Sequence, residues 1–194
     1  MSSRAPIPSL AGLLVALLAA LFCCHAGAEA RVPPELQVRL VSRLATFDRN
    51  FVPRAGPVAH VLIVRKSGSS ASRFDATGFA KAVGERSEIG GIRAKVEEIE
   101  FEGPAALAAR CRSQKVAVAY FSVGLEQEMA QVGAALSGVD VLTVGASARH
   151  AENGAVVGFD IEEARPKLVV NVKRAKAQNV SFKAEVLKLA RIVD

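Results

Sequence analysis

Apolar and polar positions along this chain alternate between two periods. Between Pro34 and Phe51, the residues Leu36, Leu40, Leu44, Phe47 and Phe51 recur at steps of four and three, with Arg39, Arg43 and Arg49 off that line. This is one apolar stripe of an amphipathic helix, and the preceding Val32-Pro33-Pro34 suits a first helical turn. VAHVLIV, Val58 to Val64, is short and β-branched and lies between Gly56-Pro57 and Ser67-Gly68. Its nearly unbroken apolar character predicts a strand covered on both faces. RFDATGFAKAVGER then places Phe79 and Val83 at helical spacing. IRAKVEEIEF, Ile92 to Phe101, predicts a strand whose alternation slips near Glu97-Glu98. Gly103-Pro104 opens a helix through Cys111, and VAVAYFSV, Val116 to Val123, predicts another buried strand. LEQEMAQVGAAL puts Leu125, Met129, Val132 and Leu136 on one helical face; Gly138 ends it, and VDVLTVGA supplies a fourth strand.

Strand and helix repeated in this way predict an α/β fold: a single doubly wound, mostly parallel sheet with helices on both faces. The pattern changes after Val144. AVVGFDIEE and KLVVNVKRA are separated only by Ala164-Arg165-Pro166. That is too short for a crossover helix, so the two pair as a C-terminal antiparallel hairpin. The last stretch, AQNVSFKAEVLKLARIVD, spaces Val180, Ala184, Leu187 and Ala190 or Arg191 as a closing helix, widened by Val186 and Leu189. Leu187 is expected to face the sheet. With no repeat, low-complexity segment or linker, the chain after its first thirty residues reads as one domain, 31–194.

The first thirty residues read differently. Arg4 and the amino terminus precede LAGLLVALLAALFCC, Leu10 to Cys24, which has no charge, and HAGAEA offers small-residue exits after Ala28 or Ala30. This is the pattern of a secretory signal peptide, spanning 1–28 or 1–30. A membrane anchor is the alternative, but spanning needs about 20 apolar residues. A lipoprotein is another, and Phe22 before Cys23 is a poor neighbour for lipid attachment. Export is the expectation, and Cys23 and Cys24 leave with the signal. Cys111 then remains alone, without an internal disulfide partner, and its place in AALAARC predicts burial on a helix.

The net charge of +6 comes from scattered residues rather than from a block, and the chain has one tyrosine, Tyr120, and no tryptophan. That excludes a stacking platform for nucleic acid and predicts a solvated basic surface. Candidate chemistry is sparse. Ser67 to Ser72 has a single glycine and none of the further glycines or Gly-Lys-Ser/Thr of a phosphate loop, so it reads as a turn capping the next helix. His60 lies inside a strand, and His150 is expected in an exposed loop from Ala146 to Gly154, with no second ligand at zinc spacing. Ser147 in that loop has no Gly-x-Ser-x-Gly elbow. Glu97-Glu98 and Glu162-Glu163 are adjacent pairs whose strand side chains diverge, unlike a glycosidase pair. No catalytic, cofactor-binding or metal-ligating residue is assigned, and the chain is expected not to be an enzyme.

The C-terminal third carries a resemblance. VLTV at Val141 to Val144, Gly154, Phe159, Asn171 and the closing LKLAR, Leu187 to Arg191, come in the order and spacing of the YfiR-like family of exported bacterial proteins. VAVAYFS, Val116 to Ser122, is similar to that family's central strand. The resemblance implies a periplasmic α/β protein that associates as a dimer. It also implies a partner: an inner-membrane signalling protein, a diguanylate cyclase or a sensor kinase, bound through its periplasmic domain and modulated in its cyclic-di-GMP output. The alternative is a periplasmic small-solute-binding module using the crevice at the strand ends. Two departures touch these implications. Relatives often end the first helix in Glu-Trp-Pro, where this chain has LATFDRNFVP, and they carry cysteine pairs where this chain keeps Cys111 alone.

Overall fold

A computed structural model describes residues 31–194. The expected signal peptide and its alternatives lie outside the described residues. Chain order is α1 (Pro34–Phe47), α2 (Phe51–Ala55), β1 (Ala59–Arg65), α3 (Ser70–Arg86), β2 (Glu88–Ile89), β3 (Ile92–Glu100), α4 (Pro104–Gln114), β4 (Val118–Phe121) and α5 (Met129–Ala135). There follow β5 (Leu142–Gly145), α6 (Ala148–Asn153), β6 (Val157–Glu162), β7 (Arg165–Asn171), α7 (Val172–Ala177), α8 (Ala184–Leu187) and β8 (Arg191–Val193). The sheet runs β2-β3-β1-β4-β5-β6-β7-β8. Its centre, β3 through β6, is parallel; β2 is antiparallel to β3, β6 and β7 form the antiparallel hairpin, and β8 lies parallel to β7. This is the doubly wound sheet expected from the periodicity.

Strand alternation splits the core into two layers. Val61 and Ile63 of β1, with Val118 and Tyr120 of β4, face Val38, Val41, Leu44, Ala76 and Phe79 of α1 and α3. Leu62, Val64, Ala119 and Phe121 face the opposite way, onto Leu107, Ala108 and Cys111 of α4 and Met129 and Val132 of α5. Successive strand side chains point to opposite faces, so a β-branched run must be covered on both. Phe79 stacks on Tyr120 with ring centroids 3.7 Å apart. Cys111 is buried, as expected, and burial pushes its thiol up to about 12.

Several expectations are corrected. The first helix stops at Phe47, and Phe51 starts a separate short helix. Asp48 causes the break: its carboxylate accepts from Asn50 N at 3.1 Å and Ser181 N at 2.9 Å and pairs with Arg54 at 2.6 Å. The buried face of α1 is also rotated, to Val38, Val41, Leu44 and Ala45, while Leu36, Leu40 and Phe47 are half-buried. The hairpin turn is Glu163-Ala164, with φ of 50° and 59°, rather than Ala164-Arg165-Pro166. Two consecutive left-handed residues match the twist of the flanking strands, and Pro166 lies in β7 opposite Ile161. The second hairpin strand ends at Asn171 instead of running on to Ala175, because the Asn171 side chain accepts from Arg174 N at 2.9 Å and caps α7. The closing helix shrinks to the single turn α8. Arg191 to Val193, expected to extend it, instead pair with Val169 to Asn171 as β8. Leu187 is consequently only half-buried, and Val186 takes the buried position.

Candidate functional site

The chain leaves β1 toward β3 on one side and reaches β4 on the other, so the winding reverses between β1 and β4. Ligands in doubly wound sheets gather outside the strand carboxyl ends at that point. Here the crevice is occupied by the protein's own polar groups. Ser69 caps α3 by accepting from Ser72 N at 3.2 Å, as expected of the serine-rich turn. The Ser72 hydroxyl accepts from Lys66 N at 2.7 Å and meets the Ser122 hydroxyl at 2.6 Å, and Ser122 donates to Val64 O at 3.1 Å. Beside them Asp75 accepts from the Tyr120 hydroxyl at 2.9 Å and from Val123 N at 3.2 Å. Burial raises the Asp75 carboxyl above its usual range, against the opposing hydrogen bonds. Gln37 Oε1 stands 3.1 Å from the same Tyr120 oxygen, and its amide donates to Val32 O at 2.8 Å.

The stretch from Ala146 to Gly154 is not an exposed loop. It forms α6, and His150 is fully buried, which corrects the sequence expectation. The side chain is held on both sides. Nε2 faces Ser122 O at 3.1 Å, and a carbonyl can only accept, so Nε2 carries the proton. Nδ1 then accepts, from the Ser147 backbone N–H at 3.3 Å and hydroxyl at 3.0 Å. The imidazole takes the place usually filled by Glu or Gln in a helix capping box. Burial lowers the His150 pKa and keeps the ring neutral. A Cβ at Gly145 would collide with the His150 ring, so glycine there makes the room.

Ser147 and His150 at 3.0 Å have the look of a nucleophile and its base. The second ring nitrogen is spent on a backbone carbonyl, however, whereas a working base is oriented by an acceptor such as a carboxylate that stabilises the imidazolium. Glu126 lies 3.9 Å from Nδ1, on the serine's own side of the ring. The pair closes a helix end and builds no catalytic dyad. His60, the other candidate histidine, bonds Glu97 at 3.1 Å, and Arg110 holds the same carboxylate at 2.7 Å. Glu98 turns to the opposite face and pairs with Arg65 at 3.1 Å, so Glu97 and Glu98 diverge as their adjacency requires. Among the described residues no group of His, Cys, Asp and Glu could hold a metal ion.

An open site lies elsewhere. Leu40, Leu44 and Phe47 of α1, Pro166 and Leu168 of β7, and Val186 and Leu189 around α8 enclose a mostly apolar groove of about 290 Å³. Arg43 and Glu185 line it as the charged members. Leu189, one of the lining residues, is 73% exposed. The half-buried stripe of α1 is one wall of this groove, so the residues that displace the helix's buried face are the ones that shape it. The sequence marked the apolar stripe of α1 but could not show that β7 and α8 meet it.

The YfiR/HmsC-like family matches residues 36–191, which is most of the chain. The chain belongs to that family. Among solved structures it is similar to an ABC domain in complex with L-Trp from Streptococcus pneumonia, at 14% identity and TM-score 0.59, over 83% of this chain and 62% of that one. It is also similar to the ligand-free, open structure of CD0873, a substrate binding protein with adhesive properties from Clostridium difficile, at 11% identity and TM-score 0.58, over 84% and 60%. A conserved domain protein from Vibrio cholerae matches at 16% identity and TM-score 0.56, over 86% and 61%. The likeness is one of fold, and the chain spans about three-fifths of the length of these proteins. No curated protein matches the sequence. Family membership supports a non-enzymatic protein located in the periplasm or outside the cell.

Proposed function

We propose that this protein is a periplasmic regulator that binds and modulates an inner-membrane signalling protein, a diguanylate cyclase or sensor kinase. The observation that carries it is the family match across residues 36–191. The groove between α1, β7 and α8 supports it, because a partner's apolar side chain inserted there would meet Leu40, Phe47 and Leu168, with Arg43 and Glu185 available to orient it. Hot spots at interfaces are buried side chains in such desolvated pockets. A fragment of the partner's periplasmic domain should bind the wild type and bind Leu168→Asp at least about tenfold more weakly, the loss expected for a buried interface anchor. Equal binding by both would remove the groove from the interface.

A second reading has its own support: the groove takes a small solute, and the protein is a solute-binding module. Its fold is shared with a substrate binding protein and with a domain solved with a bound amino acid. The groove is near the lower end of ligand-pocket volumes, about 300–1,000 Å³, and is lined as such pockets are. This support from the fold is stronger for solute binding than for any one signalling partner. Native mass spectrometry of protein purified from periplasm separates the readings. A retained small molecule lost in Leu168→Asp favours the solute, and a bare chain that captures the partner domain favours the regulator.

A further inference from the structure

The outer edge of β3 carries main-chain hydrogen-bonding groups that find no partner among the described residues. β2 pairs only with its first two residues, Ile89 with Ile92 and Glu88 with Arg93, and Ala94 N donates to Ser87 O at 2.9 Å. At the far end, Phe101 N donates the other way, to Arg65 O of β1 at 2.8 Å. Successive residues of a strand send their N–H and C=O groups to alternate edges. Val96, Glu98 and Glu100 therefore aim theirs away from β1, and no strand among the described residues meets them. An open edge of this kind is a template for another strand.

Two further features bear on what would pair there. Beside the edge, Ile99 and Phe101 of the strand side and Ala106, Ala109 and Ser113 of α4 line a groove of about 460 Å³. A strand laid along β3 would turn every second side chain toward it. The edge is also acidic on a chain of net charge +6, with Glu97, Glu98, Glu100 and Glu102 within six residues. Glu98, Glu100 and Glu102 are exposed; Arg65 of β1 pairs with Glu98 at 3.1 Å and Glu100 at 2.7 Å, so one cation serves two carboxylates there. A second copy of β3 laid antiparallel on the stretch that β2 leaves open opposes like charges in the registers centred there, whereas the register about Val96, which sets Glu97 against Lys95, runs into β2. Centred on Glu98, that residue meets its copy; centred on Glu97, the Glu97 side chains meet; centred on Ile99, Glu98 meets Glu100. Like charges directly opposite are destabilising, so the edge disfavours self-pairing and suits a basic strand.

We propose that the outer edge of β3 binds an extended segment of a partner protein by strand addition. Its Lys or Arg side chains lie over Glu98 and Glu100, and small apolar ones enter the groove beneath α4. Main-chain bonds supply affinity in this mode and the alternate side chains supply selectivity. The site is separate from the α1–β7–α8 groove and stands or falls independently of what that groove binds.

The probe is an acetylated, amidated heptapeptide, Val-Lys-Val-Lys-Val-Lys-Val, added to the full mature chain. It should slow amide exchange at Val96, Glu98 and Glu100 by at least about tenfold, the scale of one net hydrogen bond, and leave Glu97 and Ile99, whose amides already face β1, unchanged. Val96→Pro removes an outward donor without touching the β1 ladder, and Glu98→Lys reverses the charge; each should weaken binding by at least about tenfold. Binding should also be lost when alternate peptide nitrogens of the probe are methylated. Unchanged exchange at millimolar peptide overturns the proposal. So does equal binding of the Glu-for-Lys peptide or of the methylated one, since charge attraction or none would then explain the data.

Discussion

At the scale of single residues, His150 shows how burial turns a reactive side chain into a structural one. Its two ring nitrogens are both consumed, by Ser122 O and by Ser147. Removing the ring opens a cavity and leaves a buried carbonyl unpaired, so His150→Ala should cost about 2–4 kcal/mol. Ser147→Ala should cost about 1 kcal/mol, as for a helix cap, and chemical denaturation of both variants checks the order. The pH dependence follows from the direction of the shift. The His150 pKa is lowered from 6.5 in the folded chain, so the unfolded state takes up the proton first. Stability is then full above about pH 6.5 and falls as pH drops toward the folded value. A denaturation series from pH 7 to 5 should show that slope, and His150→Gln should lack it. Asp75 works with the opposite sign: its raised pKa makes the ionised form the costly one. Asp75→Asn, which keeps an acceptor for Tyr120, should match or exceed wild-type stability at pH 7 and lose that advantage at pH 4.

At the scale of elements, the agreement between sequence and structure follows how locally each element is determined. β1, β4 and β5 are short apolar runs buried on both faces, and only a central strand satisfies that pattern. The C-terminal stretch behaves otherwise. Its helical spacing from Val180 to Arg191 is genuine, yet Phe182 bridges to Asp48 and Arg191 is drawn to Glu152 at 3.0 Å and Asp160 at 2.9 Å. The two Arg191 contacts span 39 and 31 positions and the Phe182 bridge reaches back to the end of the first helix, and local periodicity cannot anticipate them. The buried side chain is accordingly Val186. Val186→Ala should destabilise by about 1–3 kcal/mol, and Leu187→Ala, half-exposed, by less. The reverse order in thermal melts would restore the long closing helix. Asn171 offers a second test, because it caps α7 through Arg174 N and donates to Ala151 O at 3.0 Å. Asn171→Ala should cost about 1–3 kcal/mol and disturb the join of β7 to α6.

For the whole molecule, the two core layers explain why Cys111 needs no partner. It lies in the layer formed by α4 and α5, with its thiol pushed up to about 12 by burial. A thiolate is the reactive form, so a maleimide should label Cys111 slowly in the native chain and rapidly in denaturant. Fast native labelling would contradict the packing. No helix among the described residues is long and apolar enough to cross a membrane. We propose cleavage after Ala28 or Ala30, and mass spectrometry of the exported protein should find Glu29 or Arg31 at its start. Intact chain in the membrane pellet would point to an anchor instead.

The sequence by itself determined β1 and β3 to β7, the parallel centre, the hairpin and the family, because each rests on spacing within a few residues or on the order of short motifs; β2 and β8 it did not show. It also carried the absence of catalytic motifs. Tertiary structure alone decided that His150 is buried, since its environment comes from Ser122, 28 positions away. The same holds for the groove, whose walls are α1 and the chain's last quarter. It holds too for the open edge of β3, which exists because β2 stops after two residues. Hydrophobic periodicity records which face of an element is covered; which distant element covers it, and what is left uncovered, is settled only when the layers close.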